Sequence, residues 1–219
     1  RDLRPGARAA LERGVRAPLA EVGMTKAEIR ELARAWGIPV WNRPSAACLS
    51  SRIPYGTPVT VAALQRIDQV ERYLRQEHGF AQVRCRHHGA TARLELPDED
   101  LSALLAAAAV REALVAQCAA AGYARAAVDL RGFRSGSMNE ALAAGAGPAE
   151  DAVRQMQEAF AQAGGGRSTG TAEGAMLTIR VTSADFGRLA APGPRQELVE
   201  RAGSLGCRYL ALDLVPLES

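Results

Sequence analysis

One pattern occurs twice in this chain, and it limits the folds the chain can adopt. Ala92-Arg93-Leu94-Glu95-Leu96 alternates apolar and charged residues, the period of a half-buried strand. A helical stretch follows from Asp98 to Ala121, closed by Gly122, and then a second strand, Ala126-Ala127-Val128-Asp129-Leu130. Leu177-Thr178-Ile179-Arg180-Val181 parallels the first strand, and Asp185, Phe186 and Leu189 parallel Asp100, Leu101 and Leu104. After a one-residue slip, Arg195, Val199, Gly206, Asp213 and Leu214 match Arg111, Val115, Gly122, Asp129 and Leu130. The tail therefore reads as a partial second copy of a strand–helix–strand unit, structural or oligomer-forming, with chance alternation in an alanine-rich chain as the competing account.

The rest of the chain supplies further elements. Thr25 with Glu28 forms a capping box, and Ile29, Leu32, Ala33 and Trp36 follow at helical spacing up to Gly37. Ile38-Pro39-Val40-Trp41 reads as a short extended run. Thr60 opens a second helix with Leu64, Ile67, Val70, Tyr73 and Leu74 on one face. From Gln82 to His87, Val83 and Cys85 face one way while Arg84 and Arg86 face the other, a strand with two guanidiniums on its open side. Ala149 to Ala163 reads as helical, and Gly164 to Gly174 as a flexible linker rich in Gly, Ser and Thr. Aromatic residues make up only 5%, so the core must be aliphatic.

The segment with most chemical promise is Pro44-Ser45-Ala46-Ala47-Cys48-Leu49-Ser50-Ser51-Arg52-Ile53-Pro54-Tyr55-Gly56. Prolines at 44, 54 and 58 keep the thiol on a loop or short turn. Small neighbours leave room for a ligand to approach the sulfur, and Arg52 can favour the thiolate or fork onto a phosphate or carboxylate. The rival reading is a buried, inert cysteine beside a proline-rich turn. Arg84 and Arg86, two apart on a strand, could grip a phosphate; a solvated strand face explains them equally well. Arg131-Gly132-Phe133-Arg134-Ser135-Gly136-Ser137-Met138-Asn139 could form an anion-binding nest or a plain surface loop. Glu71 could hold a metal or cofactor, or lie on a solvated helix face. Only one of His87 and His88 can join the arginine pair, because neighbours on a strand point to opposite faces. Cys85, Cys118 and Cys207 read as core.

Several classes are disfavoured. A net charge of +3 suits small anionic ligands and is too weak a field to argue for nucleic acid. The four cysteines show neither zinc spacing nor a disulfide framework, which points to a reducing cytoplasm. No apolar run has the length of a membrane span, so no membrane partner is expected.

Together these segments resemble the ATP-dependent sacrificial sulfur transferases that build the nickel-pincer cofactor of lactate racemase, within the PP-loop ATP pyrophosphatase superfamily. The resemblance runs over roughly residues 1–142. It rests on Asp2-Leu3-Arg4-Pro5-Gly6-Ala7-Arg8-Ala9-Ala10, Val15 to Leu19, Thr25 to Arg30, the Cys48 run, Val83 to Gly89 and Gly132 to Asn139. It implies ATP-dependent adenylation of a carboxylate on a nicotinic-acid-derived mononucleotide, then attack by a protein cysteine. Cleavage of the cysteine Cβ–S bond leaves a thiocarboxylate on the product and dehydroalanine in the protein. Cys48 matches the sulfur donor. Ser51, Arg52, Arg84, Arg86, Arg134 and Ser135 resemble phosphate-binding residues, and Glu71 an acidic residue near the reacting group. ATP and Mg are the co-reactants so implied; an iron–sulfur cluster is not expected, and a homo-oligomer is.

The expected fold is α/β. Residues 1–56 would be the C-terminal part of a PP-loop domain with the reactive loop, and 57–142 an α+β substrate or oligomerisation module. Residues 143–176 would be a helix and flexible linker, and 177–219 the partial repeat. The superfamily's Ser-Gly-Gly-x-Asp-Ser nucleotide loop does not occur in the sequence, and Gly164-Gly165-Gly166-Arg167-Ser168-Thr169 follows no strand. The expectation is that these 219 residues alone form no pyrophosphate from ATP. The alternatives are another PP-loop enzyme (a tRNA thiolase or an amide-forming synthetase) or a non-catalytic assembly module.

Overall fold

A computed structural model describes residues 10, 12–42, 48–134 and 151–218. The chain divides into two compact units, 1–47 and 48–219, and the Cys48 loop clusters with the second. In the first, helices α1 (Pro18–Glu21) and α2 (Lys26–Ala35) are described. The capping box forms: Thr25 Oγ1 accepts from the Glu28 N–H, and Glu28 Oε2 accepts from the Thr25 N–H at 2.7 Å. Residues 39–42 make a turn rather than the extended run expected there.

The second unit is built on one six-stranded sheet. Its elements in chain order are a 3-10 turn (Leu49–Arg52), α3 (Val61–Glu77), β1 (Arg84–His88), β2 (Thr91–Glu95), α4 (Asp98–Ala106), α5 (Ala108–Ala120), β3 (Arg125–Asp129), α6 (Ala152–Gln162), β4 (Ser168–Glu173), β5 (Met176–Val181), α7 (Asp185–Ala190), α8 (Pro192–Ser204) and β6 (Tyr209–Asp213). The strand order is β1-β2-β3-β6-β5-β4. Within each half the outer pair is antiparallel and the inner pair parallel, and β3 meets β6 antiparallel at the centre. The order of elements from α3 to β3 thus recurs from α6 to β6.

Alternation gives the sheet two unlike faces. Cys85, Ala92, Leu94, Ala126, Val128, Leu177, Ile179, Leu210 and Leu212 join the helices in one aliphatic core. The opposite face carries buried Arg86, Arg93, Glu95, Asp129 and Asp213 beside a small cluster of Ala127, Met176, Tyr209 and Ala211. Charges persist there because they are paired. Asp129 takes Arg93 on Oδ2 and the Arg131 N–H on Oδ1 at 2.9 Å. Asp213 does the same with Arg180 at 2.5 Å and the Val215 N–H at 2.9 Å. Both aspartates end a strand and anchor the turn that follows it.

Two further expectations are corrected. The helical stretch from Asp98 is two helices, bent by 99° at Ala107. The broken turn is stabilised from a distance: Arg111 Nη1 donates to the Leu105 carbonyl, which has lost its helical partner. Arg195 donates to Leu189 O (3.1 Å) in the same way after α7. These arginines also tie the halves together, since Arg111 lies 4.2 Å from the Phe186 ring centre and Arg195 pairs with Asp98.

The supposed linker is also structured, because residues 168–173 form β4, paired with β5 along its length. Two of its glycines sit where neighbouring groups press on the backbone. A Cβ on Gly165 would fall 2.4 Å from the Phe160 ring, and one on Gly170 would fall 3.1 Å from Val153 and 3.2 Å from the Thr178 carbonyl. Register places Thr169 opposite Arg180 and Thr171 opposite Thr178, just as Arg84 and Arg86 stand opposite Glu95 and Arg93. Threonines therefore occupy in β4 the places that arginines hold in β1. Among the described residues no single helix is long and apolar enough to cross a membrane.

Candidate active site at the Cys48 loop

Cys48 is exposed and opens the 3-10 turn. Its main-chain carbonyl collects three donors: the Ser51 N–H at 3.0 Å, Ser51 Oγ at 2.8 Å and Arg52 Nη1 at 3.1 Å. Arg52 Nη1 also donates to Ser51 Oγ at 3.1 Å. The Cys48 sulfur lies 2.7 Å from Ser50 Oγ. The thiol is pushed below its ordinary range, first by that hydroxyl, then by the Ser51 and Ser50 main-chain N–H groups, and least by the charge of Arg52; partial burial opposes them. Sequence reasoning gave Arg52 the activating role and left Ser50 out of the site. The signal was present in a hydroxyl two residues from the thiol, but only the tight turn brings the two together.

Arg52 is the anchor of the loop. It is 2% exposed and forks onto Glu71, Nε to Oε1 at 2.8 Å and Nη2 to Oε2 at 3.2 Å. Glu71, fully buried on α3, also accepts from Arg75 and from the Cys85 N–H (3.0 Å) on the free edge of β1. It therefore joins turn, helix and strand. Arg86 donates to the Ser51 carbonyl at 2.8 Å and to Glu95 Oε2 at 2.7 and 2.9 Å. The expected open face of β1 is thus occupied at Arg86, which is 5% exposed.

Arg84 differs. It is half-buried, lies 5.3 Å from the Phe133 ring centre, and donates to its neighbour Val83 O. Among the described residues it forms no ion pair with a carboxylate. Burial and the charges of Arg52, Arg86 and Arg75 push its pKa down, with Glu71 opposing. An anion would relieve that crowding. Burial pushes the Asp129 carboxyl up, and the charges of Arg93 and then Arg134 oppose that shift. Ser135 lies outside the described residues. His88 joins the Arg86 face, accepting from Arg93 Nε at 3.2 Å, while His87 meets the Tyr123 hydroxyl at 3.1 Å. Cys85, Cys118 and Cys207 are buried, and burial pushes the Cys118 thiol up to about 12.

The molecule is thus an α/β protein presenting one exposed, activated thiol on a loop locked from two sides by buried guanidiniums. No protein-family model matches the chain. It is 38% identical over 141 residues to the pyridinium-3,5-bisthiocarboxylic acid mononucleotide synthase of Lactiplantibacillus plantarum, a span of 64% of this chain and 50% of that enzyme. An uncharacterized protein of Synechocystis is 43% identical over 142 residues, 65% of this chain and 52% of that protein. Another from Methanocaldococcus jannaschii is 27% identical over 132 residues, 60% and 50% of the two chains. The chain spans about half the length of the curated relatives it matches.

Proposed function

We propose that this chain carries the sulfur-donating loop of an ATP-dependent transferase that converts a carboxylate of a pyridinium mononucleotide to a thiocarboxylate, for assembly of a nickel-pincer cofactor. The single observation that carries the reading is the exposed Cys48 thiol, lowered in pKa and mounted on a rigid turn. The named product of the Lactiplantibacillus relative, a pyridinium mononucleotide bearing two thiocarboxylic acids, supports the substrate class.

ATP activates the substrate carboxylate as an acyl adenylate with loss of pyrophosphate; no residue of this sequence is assigned to that step. The Cys48 thiolate attacks the acyl carbon, a thioester forms and AMP leaves. A base then takes the Cys48 Cα proton, the electron pair forms Cα=Cβ, and the Cβ–S bond breaks. The thiocarboxylate departs with the cysteine sulfur and dehydroalanine remains at position 48. Arg84 is the cation best placed to receive the nucleotide phosphate, while Arg52 and Arg86 hold the loop.

The test is intact mass of the native full-length protein after incubation with ATP, magnesium and a pyridinium carboxylate mononucleotide. Loss of the mass of one hydrogen sulfide molecule, mapped to Cys48 and matching the thiocarboxylate formed, is expected. Product formed with the protein mass unchanged, or by a Cys48→Ala variant, would refute the reading.

A further inference from the structure

The three donors on the Cys48 carbonyl have a use beyond holding the turn. The geometry points to Ser51 and Arg52 forming an oxyanion hole for the main-chain carbonyl of Cys48 itself, so that the Cα proton of the spent cysteine can be removed and its Cβ–S bond broken. This inference rests on the sulfur-donor reading above and assigns the chemical step that the reading leaves without residues.

Removing a Cα proton places negative charge on the adjoining carbonyl oxygen. In a peptide that charge is costly, and β-elimination from cysteine is slow. Donors fixed in advance around the oxygen lower the barrier because they need no rearrangement as charge develops. Here the oxygen receives the Ser51 N–H at 3.0 Å, the Ser51 hydroxyl at 2.8 Å and Arg52 Nη1 at 3.1 Å. The hydroxyl is itself polarised, since Arg52 Nη1 donates to Ser51 Oγ at 3.1 Å. One cation thus serves the carbonyl directly and through the hydroxyl. Arg52 is kept in place by its fork onto buried Glu71, and Ser51 by Arg86 on its own carbonyl at 2.8 Å. A turn needs only one main-chain hydrogen bond to its first carbonyl; two side-chain donors, one of them a buried guanidinium, exceed that need.

The step balances without a redox partner. The Cα proton goes to a solvent base, the Cα–H pair becomes the second bond of Cα=Cβ, and the Cβ–S pair leaves with the sulfur substituent. The enolate on the Cys48 carbonyl is the species the three donors stabilise. Ser51 and Arg52, which resembled phosphate ligands, then act on the protein's own backbone.

The test uses an artificial leaving group, so that it depends on neither ATP nor substrate. Bis-alkylation with a dihalide converts exposed Cys48 to a cyclic sulfonium, and dehydroalanine formation is followed by intact mass at fixed pH. Folded wild-type protein should eliminate at least about tenfold faster than the same modified chain in urea, and Ser51→Ala should lose most of that advantage. The rate at which the sulfonium first forms should be unchanged in Ser51→Ala. Equal elimination rates in folded and unfolded protein would overturn the inference, as would a Ser51→Ala rate equal to wild type. Fast elimination in a protein that never donates sulfur would instead uphold the hole and reject the proposed function.

Discussion

Arg52 Nε donates to Glu71 Oε1 at 2.8 Å with both side chains shut away from water. One carboxylate thereby fixes the Cys48 turn to α3 and, through the Cys85 N–H, to the edge of β1. Breaking a buried pair strands the remaining charge, which costs about 3–5 kcal/mol. Glu71→Ala is therefore expected to lower unfolding free energy by about 3 kcal/mol or more, read by urea denaturation followed by circular dichroism. Arg52→Lys should also destabilise, because an ammonium cannot reproduce the fork. Wild-type stability in either variant would show that the pair does not hold the turn.

The Ser50 hydroxyl is the largest cause of the depressed Cys48 thiol. Alkylation proceeds through the thiolate, so its pH profile reports the thiol directly. Wild-type Cys48 should reach half-maximal alkylation below the pH of about 8.5 usual for cysteine. Ser50→Ala should move that midpoint upward, making the variant slower at neutral pH and equal to wild type once both thiols are ionised. An unmoved midpoint would assign the depression to the main-chain N–H groups instead.

Much of this arrangement is legible in residue order. The alternation at Arg93 and Glu95, the Thr25 and Thr60 caps and the proline-bracketed thiol all act locally, and local rules place them in β2, α2, α3 and the turn. What sequence hides is set by partners distant along the chain. Glu71 lies four residues after Ile67 and three before Leu74, so helical spacing sets it on the apolar face rather than the solvated one; what the order of residues hides is its partner, Arg52, 19 positions earlier. The break at Ala107 lies inside an alanine run whose helix propensity is unbroken, and Arg111 supplies a donor to the carbonyl that the break frees. Glycines read as flexibility at 165 and 170 are places where Phe160 and Val153 approach the backbone.

That last point is open to a direct test. Gly165→Ala would put a methyl against the Phe160 ring, which is 1% exposed and has little room to move. Overpacking of this kind costs about 1–3 kcal/mol. Gly187, inside α7 with nothing within 4 Å of its would-be Cβ, is the control. Gly187→Ala should be neutral or stabilising by up to about 1 kcal/mol, since it replaces glycine inside a helix. A Gly165→Ala protein as stable as wild type would show that the Phe160 ring yields and that packing does not require a glycine there.

The sequence reading gave Arg84 and Arg86 one shared role, gripping phosphate, and the structure sets them in different surroundings. They share a face of β1, yet Arg86 is bound to buried Glu95 and to the Ser51 carbonyl, whereas Arg84 rests beside Phe133 amid other cations. Arg86→Gln should leave Glu95 short of a partner and lower stability by about 3 kcal/mol, with any loss of activity following from the displaced turn. Arg84→Gln should change stability by less than about 1 kcal/mol, the order of a partly exposed cation–π contact. Under the proposed function its cost should fall on binding: losing a charge-assisted hydrogen bond to phosphate would remove about 1.5–3 kcal/mol, on the order of a tenfold to hundredfold rise in KM with kcat little changed. Comparing the mononucleotide with its dephosphorylated nucleoside decides the matter, because the Arg84→Gln defect should vanish for the nucleoside. A defect of equal size on both substrates would move the phosphate elsewhere.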